Sequence, residues 1–185
     1  ERLVKVWLEN APTQRDQFSR VLTFADWAAE RREDRRDAGI DLCAELADEP
    51  GSWCAIQCKF YAYGHKLQKG EIDSFFTESG KSPFVRRIIV DTTGVPWSDH
   101  AEAALNNQHV EVTRVGLSDL DESGIDWSVF AREGRTQLAP KKEVRPHQRD
   151  AMDAVRAGLA NADRGKLIMA CGTGKTFTAL KIAED

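Results

Sequence analysis

The sequence predicts an α/β protein in two parts of unequal length. Between positions 40 and 115, short apolar segments with strand-like alternation are interleaved with segments of helical spacing. Charged residues dominate the stretch 131–145, where this apolar pattern lapses. From position 146 the pattern restarts and runs into a glycine-rich turn placed between a strand-like and a helix-like segment. We therefore predict a mixed sheet flanked by helices, a linker, and the beginning of a second α/β unit.

The composition is that of a globular protein. The 185 residues include 26 Lys and Arg against 30 Asp and Glu, and 41% are hydrophobic. These values exclude a disordered, collagen-like or coiled-coil chain. No apolar run reaches the roughly 20 residues that span a bilayer, and no signal peptide opens the chain. Because the first residue is Glu1 rather than Met, we expect a piece of a longer protein.

The first part should begin with a helix. Thr13, with Asp16 three residues later, has the pattern of a helix start, and apolar residues recur at helical spacing from Phe18 to Ala28. This helix is expected to end near Arg32. The elements expected after it are strands at 40–46 and 53–60 around a turn at 49–52, a helix at 67–80, a strand at 84–90, a helix at 98–106, a strand at 110–115, and short helix and turn at 119–130.

Three polar residues are expected to meet on one side of the first hairpin. Side chains alternate along each strand, so Asp41 shares a face with Cys43, while Gln57 and Lys59 share a face on the next strand. In an antiparallel hairpin around the 49–52 turn, Asp41 lies opposite Gln57 or Lys59. An exposed polar face of the hairpin is the simpler structural explanation of this pattern, and the spacing alone does not distinguish it from a functional site.

The convergence suits hydrolysis of a phosphodiester. The reaction needs a divalent metal that polarises the phosphate and generates hydroxide, and Mg²⁺ prefers oxygen ligands. Asp41 offers a carboxylate, Gln57 an amide oxygen and Cys58 a main-chain carbonyl. Lys59 would position the attacking water or stabilise the negative charge that develops.

The residues around this hairpin resemble a known nuclease family. The sequence DAGIDL around Asp41 and the sequence AIQCK around Lys59 resemble the Mrr-type branch of the PD-(D/E)xK nucleases. The resemblance implies that Asp41 binds the metal, Gln57 fills the Glu/Gln position, Lys59 is catalytic and Asp37 is an additional acidic residue. Because Gln57 carries no charge, the metal should be held more weakly, with Asp37 or Glu30 as compensating carboxylates.

The second part carries the pattern of a phosphate-binding loop. A strand-like run at 166–170 leads into a glycine-rich turn, and a helix is expected from Thr176. Backbone N–H groups of such a turn and the helix N-terminus bind phosphates. Lys175 would reach the β- and γ-phosphates, and the Thr176 hydroxyl would bind Mg²⁺. The nucleotide-binding residues predicted here are Gly172, Thr173, Gly174, Lys175 and Thr176.

A glutamine upstream strengthens the nucleotide prediction. The sequence VRPHQ, which ends at Gln148, resembles the Q-motif of superfamily 2 helicases, where the glutamine reads the edge of adenine. An amide suits that task because it donates and accepts hydrogen bonds at once. The alternative is an ordinary polar residue in the first turn of a helix that Pro146 opens. No Asp-Glu-x-His box follows, so this chain alone should not hydrolyse ATP efficiently.

The combination of motifs resembles the Type ISP restriction–modification enzymes. The resemblance implies a restriction-endonuclease-like nuclease domain at 1–131, a basic linker at 132–145 and the first strand, P-loop and helix of a RecA-like motor at 146–185. It further implies Mg²⁺ at the nuclease site, ATP with Mg²⁺ in the full-length parent, double-stranded DNA as substrate and a bacterial cytoplasmic location. Motor, methyltransferase and target-recognition regions would follow in the parent chain, and no membrane is involved.

Three alternatives remain from the sequence. One is a nuclease–helicase of phage defence or DNA repair without a methyltransferase. Another is a catalytically inactive nuclease fold that only binds DNA, and the third is an ATP-binding module with an adaptor domain. The basic residues of 131–149 could follow a phosphate backbone or form a solvated linker.

Overall fold

The computed structural model describes residues 1–33, 39–106, 108–140, 143–170 and 173–184. The chain divides into two compact units, Glu1–Ala139 and Pro140–Asp185. None of the described helices is both long enough and apolar enough to cross a bilayer.

The first unit is built on a mixed five-stranded sheet in the order β1-β2-β3-β4-β5. The strands β1, β2 and β3 pair antiparallel, whereas β3, β4 and β5 pair parallel. The mixed sheet predicted from the sequence is confirmed. Its strands are β1 (Phe18–Thr23), β2 (Leu42–Leu46), β3 (Trp53–Lys59), β4 (Phe84–Asp91) and β5 (Val112–Gly116).

Helices cover both faces of this sheet and create two hydrophobic cores. One core packs α1 and α5 against one face, and the other packs α2, α3 and α4 against the opposite face. Parallel neighbours such as β3 and β4 need a crossover connection, which here contains α3. The helices of the unit are α1 (Arg2–Asn10), α2 (Phe24–Arg31), α3 (Asp73–Glu78), α4 (Asp99–Leu105), α5 (Leu117–Asp121) and α6 (Trp127–Glu133).

The helix predicted from Thr13 to Arg32 is wrong over its first half, because residues 18–23 form strand β1. A register shift between Phe18 and Arg20 inserts an extra residue into the strand. This bulge places Phe18 and Val21, three positions apart, in the same core. Their spacing therefore imitates a helix turn. The helix starts only at Phe24, where the Thr23 hydroxyl accepts a hydrogen bond from the Asp26 backbone N–H.

The second unit contains two helices, α7 (Pro146–Leu159) and α8 (Lys175–Glu184). The helix expected from Pro146 is confirmed. The strand expected at 166–170 is wrong, because these residues have no regular structure and Ile168 is 88% exposed. A parallel strand needs hydrogen-bonding neighbours and cover on both faces, which 46 residues cannot supply.

The buried carboxylate of Asp91 lies at the end of β4, next to Lys59 at the end of β3. Asp91 accepts hydrogen bonds from the Trp97 indole N–H at 2.6 Å and from the Thr93 backbone N–H at 2.7 Å. The Arg114 guanidinium lies 3.5 Å from the same carboxylate and stacks 4.0 Å above the Trp97 ring. Burial by itself raises the pKa of Asp91, but these donors outweigh it and hold the pKa below its ordinary value.

We expect Asp91→Asn to destabilise the protein by about 2 kcal/mol at neutral pH, since it removes charge-assisted hydrogen bonds. A carboxyl whose folded-state pKa is depressed stabilises the protein above its unfolded pKa of about 4. That contribution is lost as the pH falls through the folded-state pKa. The difference between wild type and variant should therefore shrink in acid, as measured by urea unfolding across the acidic range.

The exposed Asp48 supplies a matched control for this measurement. Asp48→Asn should change the free energy of unfolding by a few tenths of a kcal/mol at most, at any pH. A difference between wild type and Asp91→Asn that stays constant down to acid pH would contradict the assignment.

Candidate functional site

The hairpin of β2 and β3 brings Asp41 to the carboxyl end of β3. In the antiparallel register Leu42 faces Ile56, so Asp41, one residue earlier, comes next to Gln57. The sequence had left Gln57 and Lys59 as alternative neighbours. The opposite face of the hairpin is apolar, with Leu42, Ala44 and Ile56 in one hydrophobic core.

Asp41 lies where β2 and β3 separate. Its backbone N–H donates to the Ile56 carbonyl at 2.9 Å, and its carbonyl accepts from the Phe24 N–H at 3.0 Å. Its carboxylate accepts the backbone N–H of Cys58 at 2.6 Å. The Asp41 side chain thus accepts the hydrogen bond that a backbone carbonyl would accept if the β2–β3 ladder continued. The carboxylate is fixed against β3 just before Lys59.

Gln57 presents a buried amide oxygen. The side chain is 3% exposed, and its Oε1 atom has no hydrogen-bond partner among the described residues. An amide oxygen buried without a partner costs free energy, and most such atoms in proteins are satisfied. The position therefore suits a ligand to which an oxygen can donate a lone pair, such as a metal cation.

Lys59 ends β3 with an ammonium group that has no ion-pair partner within the described ranges. Its neighbour on β4 is Asp91, which the parallel register places directly beside it. Asp91 is held by Trp97, Thr93 and Arg114 instead. Lys59 itself is half-buried at the end of the strand.

Glu1, immediately before α1, is a neighbour that sequence reasoning missed. Burial is the main reason that the pKa of Asp41 is raised, and the charge of Glu1 and a hydrogen bond with it raise the pKa further. The backbone N–H of Cys58 opposes this shift. No local motif marks Glu1, because only the packing of α1 brings it to the hairpin. Glu30, expected as the compensating carboxylate, bonds Arg20 at 2.8 Å, and Asp37 lies outside the described residues.

The donor set at this corner fits a hard divalent cation. Two adjacent carboxylates, one of them partly buried, repel each other unless a proton or a cation lies between them. Together with the unpartnered amide oxygen they form the all-oxygen environment that Mg²⁺ prefers. Burial raises the pKa of the Cys58 thiol to about 12, and a hard cation prefers oxygen ligands to sulfur. No three His, Cys, Asp or Glu side chains gather anywhere in the described chain to suit a metal, and this corner offers two carboxylates and an amide oxygen.

In the second unit, Gln148 is hydrogen-bonded to the predicted P-loop. The amide is buried, donates to the Thr173 carbonyl at 2.9 Å and accepts the Arg145 backbone N–H at 3.0 Å. Gly174 has φ +83°, and a Cβ there would lie 2.4 Å from the Gln148 amide nitrogen. Only glycine therefore lets the loop approach this amide so closely.

Lys175 and Thr173 contact the same carbonyl of the loop. The Lys175 ammonium donates to the Ala170 carbonyl at 3.2 Å, and the Thr173 hydroxyl donates to it at 2.7 Å. Thr176 is exposed in the first turn of α8, and Gly172 lies outside the described residues. The structure thus brings Gln148, Thr173, Gly174 and Lys175 together.

The basic stretch after α6 is partly neutralised by the chain itself. Arg132 and Arg135 both form ion pairs with Glu133, at 2.9 Å and 2.5 Å. Lys141 and Lys142 lie outside the described residues. The pairing weakens the case for 132–135 as a phosphate-binding surface, since paired arginines contribute less positive potential.

Comparison with known proteins gives two family matches and a similar solved structure. Residues 9–137 match the Mrr_cat_2 family, described as restriction endonuclease. Residues 141–185 match the ResIII family, described as Type III restriction enzyme, res subunit. No curated protein matches the chain.

The solved structure is the ATP-dependent Type ISP restriction-modification enzyme LlaBIII bound to DNA. Its sequence is 37% identical, the match covers 99% of this chain, and the TM-score is 0.69. The same match covers 12% of the LlaBIII chain. Because the restriction-endonuclease model matches more than half of the chain, the chain belongs to the Mrr_cat_2 family of restriction endonucleases, with a ResIII helicase-like fragment after it.

Proposed function

We propose that this chain is the DNA-cutting domain and the start of the ATP-driven motor of a Type ISP-like restriction–modification enzyme. The observation that carries the proposal is the corner at the end of β2 and β3. There the Asp41 carboxylate lies in one hairpin with the Gln57 amide oxygen and the Lys59 ammonium, neither of which has a partner among the residues that the structure describes. The match to LlaBIII supports the wider architecture.

The substrate is a phosphodiester of double-stranded DNA. Asp41, Glu1, the Gln57 amide and the Cys58 carbonyl would hold Mg²⁺. When bound, the metal polarises the phosphate and lowers the pKa of a coordinated water. Lys59 approaches from the end of β3, where its ammonium orients the attacking water or balances the charge that builds on the phosphate oxygens. The buried walls of the sheet keep these groups fixed, which spares reorganisation during the reaction.

The second unit would bind ATP with Mg²⁺ once the remaining motor strands complete its sheet. Lys175, now bonded to the Ala170 carbonyl, would contact the phosphates, and the Thr176 hydroxyl would hold the metal. Gln148 keeps one free N–H and one free lone pair for the adenine edge, since an amide has two donors and two acceptor positions. The remaining motor, methyltransferase and target-recognition regions of a parent chain are the proposed covalent partners, because the chain spans only 12% of LlaBIII.

A nuclease–helicase without a methyltransferase is the alternative that the same geometry allows. It shares the hairpin site and the P-loop, and differs only in the regions joined to them. The two are separated by assaying the full-length parent for transfer of a methyl group from S-adenosylmethionine to DNA. Methylation supports the restriction–modification assignment, and its absence supports the alternative.

Asp41→Asn and Lys59→Met should each lower metal-dependent nicking of supercoiled plasmid about a hundredfold or more, because each removes a group that acts on the reacting phosphate. DNA affinity, measured by fluorescence anisotropy in chelator, should change little. The control is Glu45→Gln on β2, because the Glu45 carboxylate pairs with Arg20 and accepts the Gly51 N–H, away from the proposed metal ligands. Equal losses in all three variants, or no metal-dependent nicking by wild type, would count against the proposal.

Gln57→Glu should bind Mn²⁺ about tenfold more tightly than wild type in isothermal titration calorimetry, because it adds a charge at the metal. Without metal the variant should melt at a lower temperature, since a third carboxylate then faces Asp41 and Glu1. Added Mn²⁺ should restore its melting temperature. The exposed Gln137→Glu is the control and should show neither effect. Weaker Mn²⁺ binding by Gln57→Glu would remove Gln57 from the site.

In a full-length parent that contains the remaining motor, Lys175→Ala should weaken the binding of a fluorescent ADP analogue at least tenfold, because it removes the cation that would face the phosphates. Lys181→Ala on the same helix is the matched control, since Lys181 pairs with Glu184. Fluorescence titration in the presence of Mg²⁺ measures both. If the two variants bind the analogue equally well, the loop is not the phosphate site.

A further inference from the structure

The segment that follows Lys59 exposes aromatic rings at the edge of the candidate site. Phe60 is 44% exposed, Tyr61 38% and Tyr63 83%. Large aromatic side chains normally bury most of their surface, and rings held in solvent are common in binding surfaces. These three rings lie within four residues of the lysine that faces the phosphate in the proposed reaction.

The segment is fixed to its neighbour in the structure. The Thr92 N–H donates to the Lys59 carbonyl at 3.2 Å, and the Thr92 hydroxyl donates to the Tyr61 carbonyl at 3.0 Å. The Gly64 N–H donates to the Thr93 carbonyl at 2.8 Å. These bonds join the chain after β3 to the chain after β4, at the carboxyl ends of two parallel strands. In α/β proteins such strand ends are a common place for ligands.

Tyr63 rests on a glycine that leaves it room. Gly94 has φ +67°, and a Cβ built there would lie 2.7 Å and 2.9 Å from two ring carbons of Tyr63. A side chain at position 94 would therefore push the ring away. Because Gly94 has no side chain, one face of the Tyr63 ring can lie against its backbone, while most of the ring stays in solvent.

The other tyrosine of the segment is turned toward the protein. The Tyr61 ring stacks on His65 with centroids 4.3 Å apart, and His65 lies 3.3 Å from Glu71. The hydroxyl of Tyr61 hydrogen-bonds Glu71 as well. Tyr61 is thus committed to internal contacts, whereas the described contacts of Tyr63 are with its glycine seat.

The charge around the segment suits a polyanion. Lys59 and Lys66 flank it, and neither has an ion-pair partner in the part of the chain that the structure describes. A partner that combines negative charge with flat apolar rings is a nucleic acid. Bases inside an intact duplex have both faces covered by their neighbours, so a ring can stack only on a base that is unpaired or displaced.

We propose that Tyr63, seated on Gly94, stacks on an unpaired or displaced nucleobase of the DNA next to the phosphate that Lys59 faces. This inference rests on the proposed nuclease function and adds the substrate contact that holds one strand at the site. The aromatic face makes the contact, and the phenolic hydroxyl is not needed for it. Binding should consequently favour DNA that contains an unpaired base over a fully paired duplex.

The test uses the 185-residue chain with chelator, so that binding is measured without cutting. Fluorescein-labelled duplexes with and without one internal unpaired base are titrated by anisotropy. Tyr63→Ala should weaken binding to the duplex with the unpaired base about tenfold, as expected for the loss of one base–aromatic stack. Tyr63→Phe should stay within about twofold of wild type, and Gly94→Ala should weaken binding because it unseats the ring.

Two further readouts make the result specific. With 2-aminopurine as the unpaired base, wild type should quench its fluorescence and Tyr63→Ala should not. Leu138→Ala removes another exposed hydrophobic side chain, 44% exposed, and should leave both readouts unchanged. Because Tyr63 is exposed, its replacement does not disturb the cores, which circular dichroism checks.

Wild-type affinity in Tyr63→Ala would overturn the inference, and so would an equal loss in Tyr63→Phe, which would assign the contact to the hydroxyl. If Asp41→Asn abolishes nicking while Tyr63→Ala leaves both binding and quenching intact, the stacking fails and the nuclease function stands. If wild type binds neither duplex, the stacking inference and the proposed function both fail.

Discussion

The hydrogen bond from the Cys58 backbone N–H to the Asp41 carboxylate is the contact on which the candidate site depends. It replaces the next backbone pair of the β2–β3 ladder, so the two strands separate there. An acidic side chain is thereby fixed at the opening of the hairpin, and Gln57 and Lys59 lie on either side of the bonded Cys58. Burial is the main cause of the raised pKa of Asp41, which the charge of Glu1 raises further and the Cys58 N–H and the chain's N-terminal ammonium oppose.

β3 pairs antiparallel with β2 on one side and parallel with β4 on the other, and this position in the sheet also shapes the corner. Toward β2 the strand is part of a hairpin, and toward β4 it begins the parallel half of the sheet. Its carboxyl end is therefore both the open end of a hairpin and a member of a row of parallel strand ends. Residues from the hairpin, from the segment after β3 and from the segment after β4 meet at one edge without a long excursion of the chain.

The sequence predicted most of this sheet, because the hairpin is encoded locally by the turn at 49–52 and by strand alternation around it. Three features that could not be read from the sequence depend on non-local packing. In β1 a bulge puts Phe18 and Val21 in one core and imitates helical spacing. Glu1 reaches Asp41 only through the packing of α1, which no short motif encodes. Arg87 is a third case, a buried guanidinium within an apolar strand that is satisfied by neutral oxygens such as those of Ser79 and Gln108.

The arginine on β5 has a consequence for the chemistry of a strand that it does not touch. Arg114 helps to satisfy Asp91, which the register places beside Lys59. Within the described residues, Arg114 is the cation that pairs with Asp91, whereas Lys59, beside it in the parallel register, has no ion-pair partner there. A positive charge on β5 thus balances a negative charge on β4. An outer strand that supplies no proposed ligand therefore helps to balance a buried negative charge beside the lysine of the candidate site.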